Sequence, residues 1–220
     1  MENNDLNKTL QTYRDCVKNL VSAKRYSHTL AVEQQAKKLA KIYGADEFKA
    51  SVAAILHDIA KEMPPEKQLD LIETAGVEFG ENEHQNQKLW HAAAGAAYAK
   101  SVLKIEDDEI LSAILNHTTG RADMTLLEKI ILVADITSDD REYNNVKNLR
   151  AIAETSLDEV IAAYSVYIVA YLKENNLYIS EKTKATFNCY SKFNKWILIF
   201  VLQFLESYVV IFKEEVVSSK

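Results

Sequence analysis

The sequence is poor in the residues that usually end or bend regular secondary structure. Its 220 residues include only five glycines and two prolines. No stretch shows short alternating segments bounded by turn residues, as the strands of a sheet would. We therefore predict an all-α protein, a helical bundle long enough for one substantial core and an appendage.

Cysteine is also scarce, and acidic residues outnumber basic ones by 32 to 26. Cys16 and Cys189 form no CxxC motif and no disulfide framework, which fits a reducing cytoplasm. The formal charge of −6 argues against a nucleic-acid binder, which needs a basic stripe. A small polyphosphate is still a possible ligand, because metal ions and a few cationic side chains can reverse the local field. Residues 1–5 lack a secretory signal pattern, so we expect a cytoplasmic protein.

Capping signals divide the chain into successive predicted helices. Gly44 is expected to end the second helix, and Asp46 to begin the third. Thr125 and Glu128 have the spacing of a capping box, and Ser156 opens a segment with the same spacing.

The most informative motif is the pair His57-Asp58, which lies in the otherwise apolar helical stretch 51–61. Burying an imidazole beside a carboxylate is costly unless something pairs with them, and a divalent metal pairs with both. An isolated pair would more simply be a core histidine bonded to its neighbour. The chain, however, carries further candidates in apolar helical surroundings: His28, His91, His117 and Asp135.

This set of side chains suits a centre with two metal ions. Imidazole and carboxylate ligands bind Fe, Mn, Zn, Co or Ni, and the absence of thiolate disfavours a structural zinc site. A carboxylate has two oxygens, so Asp58 is the candidate bridging ligand. Four imidazoles and two carboxylates would leave open positions on two ions for water and phosphate.

Cationic side chains accompany the helices that carry these candidates: Arg25, Lys61, Arg121 and Arg141. Each alone would be interpreted as a solvated surface charge. Together, and so close to presumed ligands, they predict binding of a phosphate chain. His84 lies in a wholly polar segment and is predicted to be on the surface.

The end of the chain has a different composition. Residues 196–212 are nearly all apolar, interrupted by Gln203, Glu206 and Ser207 on one narrow helical face. The segment is short for a spanning helix, which needs ~20 apolar residues. Three alternatives stay open: packing on the body or on a second subunit of a homodimer, docking to a membrane surface, and a poorly ordered appendage.

The order of the histidines and aspartates resembles the HD-domain superfamily of metal-dependent phosphohydrolases. The likeness is closer to the YqeK family of bacterial symmetrical diadenosine tetraphosphate hydrolases, and it extends over residues 25–188. It is carried by these motifs: Arg25-Tyr26-Ser27-His28-Thr29-Leu30, His57-Asp58-Ile59-Ala60-Lys61, Leu89-Trp90-His91-Ala92, His117-Thr118-Thr119-Gly120-Arg121, and Met124-Thr125-Leu126-Leu127-Glu128-Lys129 followed by Val133-Ala134-Asp135.

The resemblance implies an HD-type domain over residues 1–187, with a buried iron-containing dinuclear centre, for which Mn, Co or Ni are alternatives. The tail, 188–220, has no counterpart in the family. The family's metal positions correspond to His28, His57, Asp58, His91, His117 and Asp135. Substrate binding is implied for Arg25, Lys61, His117, Thr118, Arg121, Arg141, Tyr178 and Thr183. We expect catalysis to depend on Asp58, Lys61, His117 and Arg141.

Two departures from the family pattern stand out. Ala93 occupies a position where proline is usual, and this change should matter little. The run Thr137-Ser138-Asp139-Asp140 replaces a more usual Glu-Pro-Gly-like run, and it is expected to shift Arg141 and alter its grip on the substrate.

The expected reaction is hydrolysis of diadenosine tetraphosphate by a metal-activated hydroxide. Attack at an inner phosphorus would release two ADP molecules. One alternative is another HD-type enzyme, a nucleotidase or a nucleoside triphosphate phosphohydrolase. A second is a non-catalytic module that only binds a nucleotide while the tail docks to a partner or membrane. The complete set of six ligands argues against this second alternative.

Overall fold

The structure, a computed structural model, describes residues 3–77, 80, 83–84, 86–143 and 146–191. Within these residues the chain is helical and contains no strand, which confirms the all-α prediction. The helices are α1 (Asn3–Leu20), α2 (Ala23–Tyr43), α3 (Glu47–Leu56), α4 (Pro65–Ala75), α5 (Trp90–Ser101), α6 (Asp108–Asn116), α7 (Leu126–Thr137), α8 (Val146–Ala153), α9 (Leu157–Glu174) and α10 (Glu181–Tyr190), with a short 3₁₀ helix at Gln87–Leu89.

The predicted caps are present. Gly44 ends α2 in the left-handed conformation, at φ 70°, where a glycine carries no Cβ penalty. The Asp46 side chain accepts hydrogen bonds from backbone N–H groups at the start of α3. Thr125 and Glu128 form a reciprocal capping box, and Ser156 caps α9.

One helix boundary differs from the prediction. We expected His57 and Asp58 inside the third helix, but α3 ends at Leu56 and the next residues form turns. His57 still has helical angles, φ −54° and ψ −42°. His117 likewise follows α6 directly. The final carbonyls of a helix lack intrahelical donors, and both imidazoles bond to such a carbonyl three residues earlier.

Small residues bring the central helices together around these turns. α3 packs against α2, α6 and α7, and α5 packs against α4 and α6. In α5 the run of alanines around Gly95 is buried, as expected for close contact. A Cβ on Gly95 would lie 3.4 Å from the carbonyl oxygen of His57 and 3.5 Å from that of Leu56. The glycine therefore lets α5 approach the backbone of the His57 turn.

The described part of the chain contains no helix with the length and apolar character needed to cross a membrane. The predicted boundary between residues 187 and 188 falls inside α10. Near the end of this helix Tyr190 is buried, and its hydroxyl accepts a hydrogen bond from the Met124 amide. The apolar segment 196–212 lies outside the described residues, so the predictions about it stay predictions.

Candidate metal centre

Three imidazoles converge on the carboxylate of Asp58. Asp58 Oδ1 lies 3.4 Å from Nε2 of His91 and 3.4 Å from Nε2 of His117. Its other oxygen, Oδ2, lies 3.6 Å from Nε2 of His57. The four side chains are all buried. They come from the turns after α3 and α6 and from the first turn of α5, so only the packing of these helices brings them together.

The backbone sets the tautomer of all three imidazoles. Nδ1 of His57, His91 and His117 lies 2.7, 2.9 and 2.7 Å from a carbonyl oxygen three residues earlier. Only a protonated nitrogen can donate to a carbonyl, so Nε2 of each neutral ring carries a lone pair. Burial lowers the pKa of His57 to about 4 and takes the pKa of His91 well below its ordinary value.

These inward-facing groups fit a divalent cation. Nε2 of His91 and Nε2 of His117 are only 3.3 Å apart. Nε2 of His57 and Oδ1 of Asp58 are buried and have no hydrogen-bond partner among the described residues. The Lys61 ammonium lies 2.9 Å from His91 Nε2 and 3.7 Å from Asp58 Oδ1, so a positive charge already stands beside these atoms. Unpaired buried acceptors are costly, and a metal ion would satisfy them.

The potential ligands form two groups that share one carboxylate. The first group consists of His28, His57 and Asp58, and the second of Asp58, His91 and His117. Within each group, the three ligand atoms lie within 4.8 Å of one another. Asp58 belongs to both groups. Asp58 would therefore be the residue that the two groups share if each held a cation.

His28 is held in a different way from the other three histidines. Its Nδ1 lies 2.8 Å from Asp140 Oδ2, and its Nε2 lies 3.0 Å from Asp135 Oδ1. Burial by itself lowers the pKa of His28, but the hydrogen bonds to both carboxylates outweigh it and raise that pKa to about 9. Without a metal, His28 is therefore a buried cation between two anions.

Asp140 contacts a candidate ligand, although the sequence analysis does not select it. Its carboxylate holds His28 and accepts a hydrogen bond from the Ser138 hydroxyl at 2.7 Å. A carboxylate on the distal nitrogen of a ligand histidine fixes the ring and raises its basicity. The signal in the sequence is the polar run Thr137-Ser138-Asp139-Asp140, which departs from the family pattern at the end of α7.

Three of the four predicted cations lie against the cluster. Arg25 Nη1 donates to Asp58 Oδ2 at 2.8 Å, and Arg141 pairs with Asp135. Lys61 contacts His91, as described above, and burial lowers its pKa. Thr118 completes this rim, because its hydroxyl lies 3.1 Å from Nε2 of His91 and 3.1 Å from that of His117.

The structure shows other contacts for Arg121. Its guanidinium donates twice to the buried carboxylate of Glu128, through Nε and Nη2 at 2.7 Å each. The same carboxylate accepts from the Ser112 hydroxyl and the Asn116 amide. Arg121 thus joins the turn after His117 to α7, and within the described residues it makes no hydrogen bond or ion pair to a candidate ligand.

Within the described residues, the hydrogen bonds of the segment 178–183 go to residues other than the candidate ligands. Thr183 is buried, and its amide and hydroxyl bond to Ser180 at the start of α10. Tyr178 is half-buried, and its hydroxyl has no hydrogen-bond partner in the described structure. Lys182 connects α10 to Asn116, which immediately precedes His117. His84 is exposed, as predicted.

Comparisons with known proteins agree with this geometry. Residues 25–140 match the HD domain family. The chain is 38% identical to the symmetrical bis(5′-nucleosyl)-tetraphosphatase of Bacillus subtilis over 79% of this chain and 92% of that protein. It is 34% identical to the enzyme of the same name from Staphylococcus aureus, over 76% of this chain and 87% of the relative.

A solved structure from Clostridium acetobutylicum, described as a predicted HD superfamily hydrolase involved in NAD metabolism, is also similar. It superposes with a TM-score of 0.79 at 34% identity and covers 84% of this chain and 97% of its own. The buried His and Asp cluster, the helical fold and these relatives agree. The chain therefore belongs to the HD domain family, in the branch formed by the symmetrical bis(5′-nucleosyl)-tetraphosphatases.

Proposed function

We propose that this protein hydrolyses diadenosine tetraphosphate symmetrically, giving two ADP molecules. The observation that carries the proposal is the position of Asp58 in two buried ligand groups at once. Two adjacent cations suit the cleavage of a phosphoanhydride, because the attacking and leaving oxygens both carry negative charge. The relatives named above, with which the chain aligns over most of its length, support the same reaction.

Two divalent cations, which we propose to be iron, would be held by this chain's own residues. His28, His57, Asp58 and Asp135 would hold one ion, and Asp58, His91 and His117 the other. When bound, the ions supply Lewis acidity, which lowers the pKa of water and polarises phosphoryl oxygens. Imidazole and carboxylate donors are compatible with iron and also with manganese, cobalt or nickel.

The cationic residues of the rim would bind and orient the phosphate chain. Arg25, Lys61 and Arg141 surround the ligands, and each already contacts an anionic or lone-pair atom of the cluster. Positioned cations in a site that excludes water stabilise the charge that develops on phosphoryl oxygens. Arg25 and Arg141 can donate in the forked geometry that phosphate accepts. The proposed roles of Arg121, Tyr178 and Thr183 in substrate binding stay predictions.

The reaction balances as the addition of one water molecule. The water oxygen bonds to an inner phosphorus of the four-phosphate chain, and the central P–O bond breaks. The bridging oxygen leaves with the second ADP, and the two protons of the water go to the two new terminal phosphates or, as these ionise, to solvent. No side chain has to form a covalent intermediate.

The test is hydrolysis of diadenosine tetraphosphate by the metal-loaded protein, with nucleotides separated by chromatography. We expect ADP as the only nucleotide product, and one labelled ADP for each unlabelled one when the reaction runs in ¹⁸O-water. Equal amounts of AMP and ATP would contradict symmetrical cleavage. Turnover of nucleoside mono- or triphosphates alone would instead favour the other HD-type activities.

A further inference from the structure

A short segment at the end of α6, residues 116–121, carries the candidate ligand His117. A hydrogen bond from the Gly120 amide to the Asn116 carbonyl, at 2.8 Å, closes this turn. Gly120 has φ 62°, in the left-handed region that favours glycine. The place of His117 in the cluster therefore depends on how this turn is fixed to the helices around it.

One buried carboxylate holds both ends of the turn. Glu128 on α7 is only 1% exposed. Its Oε1 accepts hydrogen bonds from Asn116 Nδ2 at 3.0 Å and from Arg121 Nε at 2.7 Å. Arg121 Nη2 donates to Oε2, also at 2.7 Å. Because Asn116 and Arg121 lie on either side of His117 in the chain, Glu128 fixes the backbone between them to α7.

The Glu128 carboxylate has no capacity left for a metal ion. Oε1 also accepts from the Ser112 hydroxyl, and Oε2 from the Thr125 amide, each at 2.6 Å. A carboxylate offers about four lone-pair sites, and the bonds from Arg121, Asn116, Ser112 and Thr125 use them all. Glu128 also belongs to neither of the two buried ligand groups. Any effect it has on the metal centre must pass through the residues that it holds.

We propose that Glu128, together with Arg121, is a positioning residue that holds His117 towards the second cation, the one assigned to Asp58, His91 and His117. The inference rests on the proposed function, because it concerns one of the two cations of that centre. The guanidinium of Arg121 has further N–H groups, so its predicted contact with phosphate is a separate matter.

The test is metal retention by Glu128→Gln. Glutamine has the size of glutamate, but its NH₂ group must face a donor that the carboxylate accepts in the wild type. Both proteins are loaded with Co²⁺ and dialysed against increasing concentrations of EDTA, and the cobalt that stays bound per chain is measured. We expect the Kd of the second cation to rise about 10- to 100-fold, while that of the first cation, on the His28 ligand group, stays unchanged.

Glu33→Gln is the matched control. Glu33 is 4% exposed and accepts from Arg14 Nε at 2.8 Å and Nη2 at 2.6 Å, so it forms the same forked pair, between α1 and α2. Both substitutions break a buried arginine–glutamate pair, but Glu33→Gln should retain both cations as the wild type does. Equal retention in the two variants, or parallel loss of both cations from Glu128→Gln, would overturn the positioning role.

A double variant shows whether the effect passes through His117. In His117→Ala the second cation already lacks this ligand, so adding Glu128→Gln should lower cobalt retention no further. A general loosening of the fold would lower retention again, including that of the first cation, and would overturn the proposal. Excess Co²⁺ should also restore ADP formation by Glu128→Gln, whereas it would not repair a merely structural loss.

Arg121→Gln provides the same test if Glu128→Gln does not fold. Arg121 is half-buried, and its removal leaves the carboxylate with the donors of Ser112, Asn116 and Thr125. Retention of the second cation should fall here too, and unchanged retention would overturn the proposal. A wild type that binds no cobalt or forms no ADP would instead defeat the proposed function.

Discussion

His28 and His91 are both buried imidazoles of one cluster, yet the structure holds them in opposite charge states. His28 lies between two carboxylates, Asp135 and Asp140, and its pKa is raised to about 9. His91 donates its one proton to a backbone carbonyl, and burial takes its pKa well below the ordinary value. The partner of each ring, a side-chain anion in one case and a neutral carbonyl in the other, decides the difference.

The two sides of the cluster therefore depend on a metal to different degrees. On the His28 side, opposite charges neutralise one another without any ion. On the His91 side, lone pairs of His91 and His117 face each other at 3.3 Å, and the Lys61 ammonium is the nearest positive charge. We infer that metal binding relieves more unfavourable interaction on the His91 side, while it must displace a proton from His28.

The largest expected effect comes from Asp58, the residue that joins the two sides. Asp58→Ala should abolish hydrolysis and lower metal content on both sides, because both ligand groups include this carboxylate. Metal analysis of the purified variant, together with the ADP assay, checks this. His84→Ala is the control and should be nearly silent, since His84 is exposed. Near-normal turnover of Asp58→Ala would disprove the shared centre.

Lys61→Ala probes the His91 side, where the ammonium contacts His91 Nε2. We expect the variant to keep its metals but lose activity on the tetraphosphate, because the ammonium is proposed to contact phosphate. Loss of one charged hydrogen bond costs about 1.5–3 kcal/mol, or about 10- to 150-fold in kcat/KM. Unaltered kinetics in a metal-replete variant would show that Lys61 has no role in the reaction.

Asp140→Asn probes the His28 side, and the neighbouring Asp139 offers a matched control. The side chain of Asp139 is 83% exposed, whereas that of Asp140 bonds to His28. Substitutions of this kind behind a ligand histidine typically weaken metal binding about 10- to 100-fold. We expect this loss for Asp140→Asn in a metal titration, and none for Asp139→Asn. Equal metal affinities for the two variants would show that Asp140 does not tune the centre.

The stability of the metal-free protein should depend on pH in two opposite ways. His28, with its pKa raised from 6.5 to about 9, gives stability that is present below pH 6.5 and lost as the pH rises through 9. His57, with its pKa lowered to about 4, gives stability that is lost as the pH falls from 6.5 towards 4.

Thermal unfolding of the metal-free protein between pH 5 and 9 tests both the acidic and the alkaline loss of stability. The Tm should be highest at the pH values between these two losses. In His28→Gln the alkaline loss of Tm should become smaller, while the acidic loss stays. An alkaline loss of the same size in the wild type and in His28→Gln would contradict the charge state assigned to His28.

The smallest effect on metal content and hydrolysis is expected for a change that touches neither the His28 side nor the His91 side of the cluster. Truncation after Ser191 retains all of α10 and removes the apolar tail. Metal content and hydrolysis should persist, because all the proposed ligands come earlier in the chain. A changed oligomer size would favour a tail buried in the body or in a dimer, and loss of liposome co-sedimentation would favour membrane docking. Loss of activity would place the tail in the active site.

The sequence alone was sufficient for the fold class and most helix caps, and it selected six candidate ligands, five of which lie in the two buried groups around Asp58. Caps are local, so Gly44, Asp46 and Thr125 reveal helix ends within a few residues of chain. The six candidate ligands stand out because imidazole or carboxylate is expensive in apolar helical surroundings, whatever the fold. The order of the motifs then pointed to the family. All of these signals depend on neighbours in sequence.

Only the tertiary structure decided how the individual groups are paired. Asp140 lies 112 positions from His28 along the chain, yet their side chains form a hydrogen bond. Arg121 and Arg141 look equivalent in sequence, but one is bonded to Glu128 and the other to Asp135. The protonation state of a buried histidine depends on which acceptor the packing of helices places beside each ring nitrogen. That choice is a property of the folded protein and not of any local stretch of sequence.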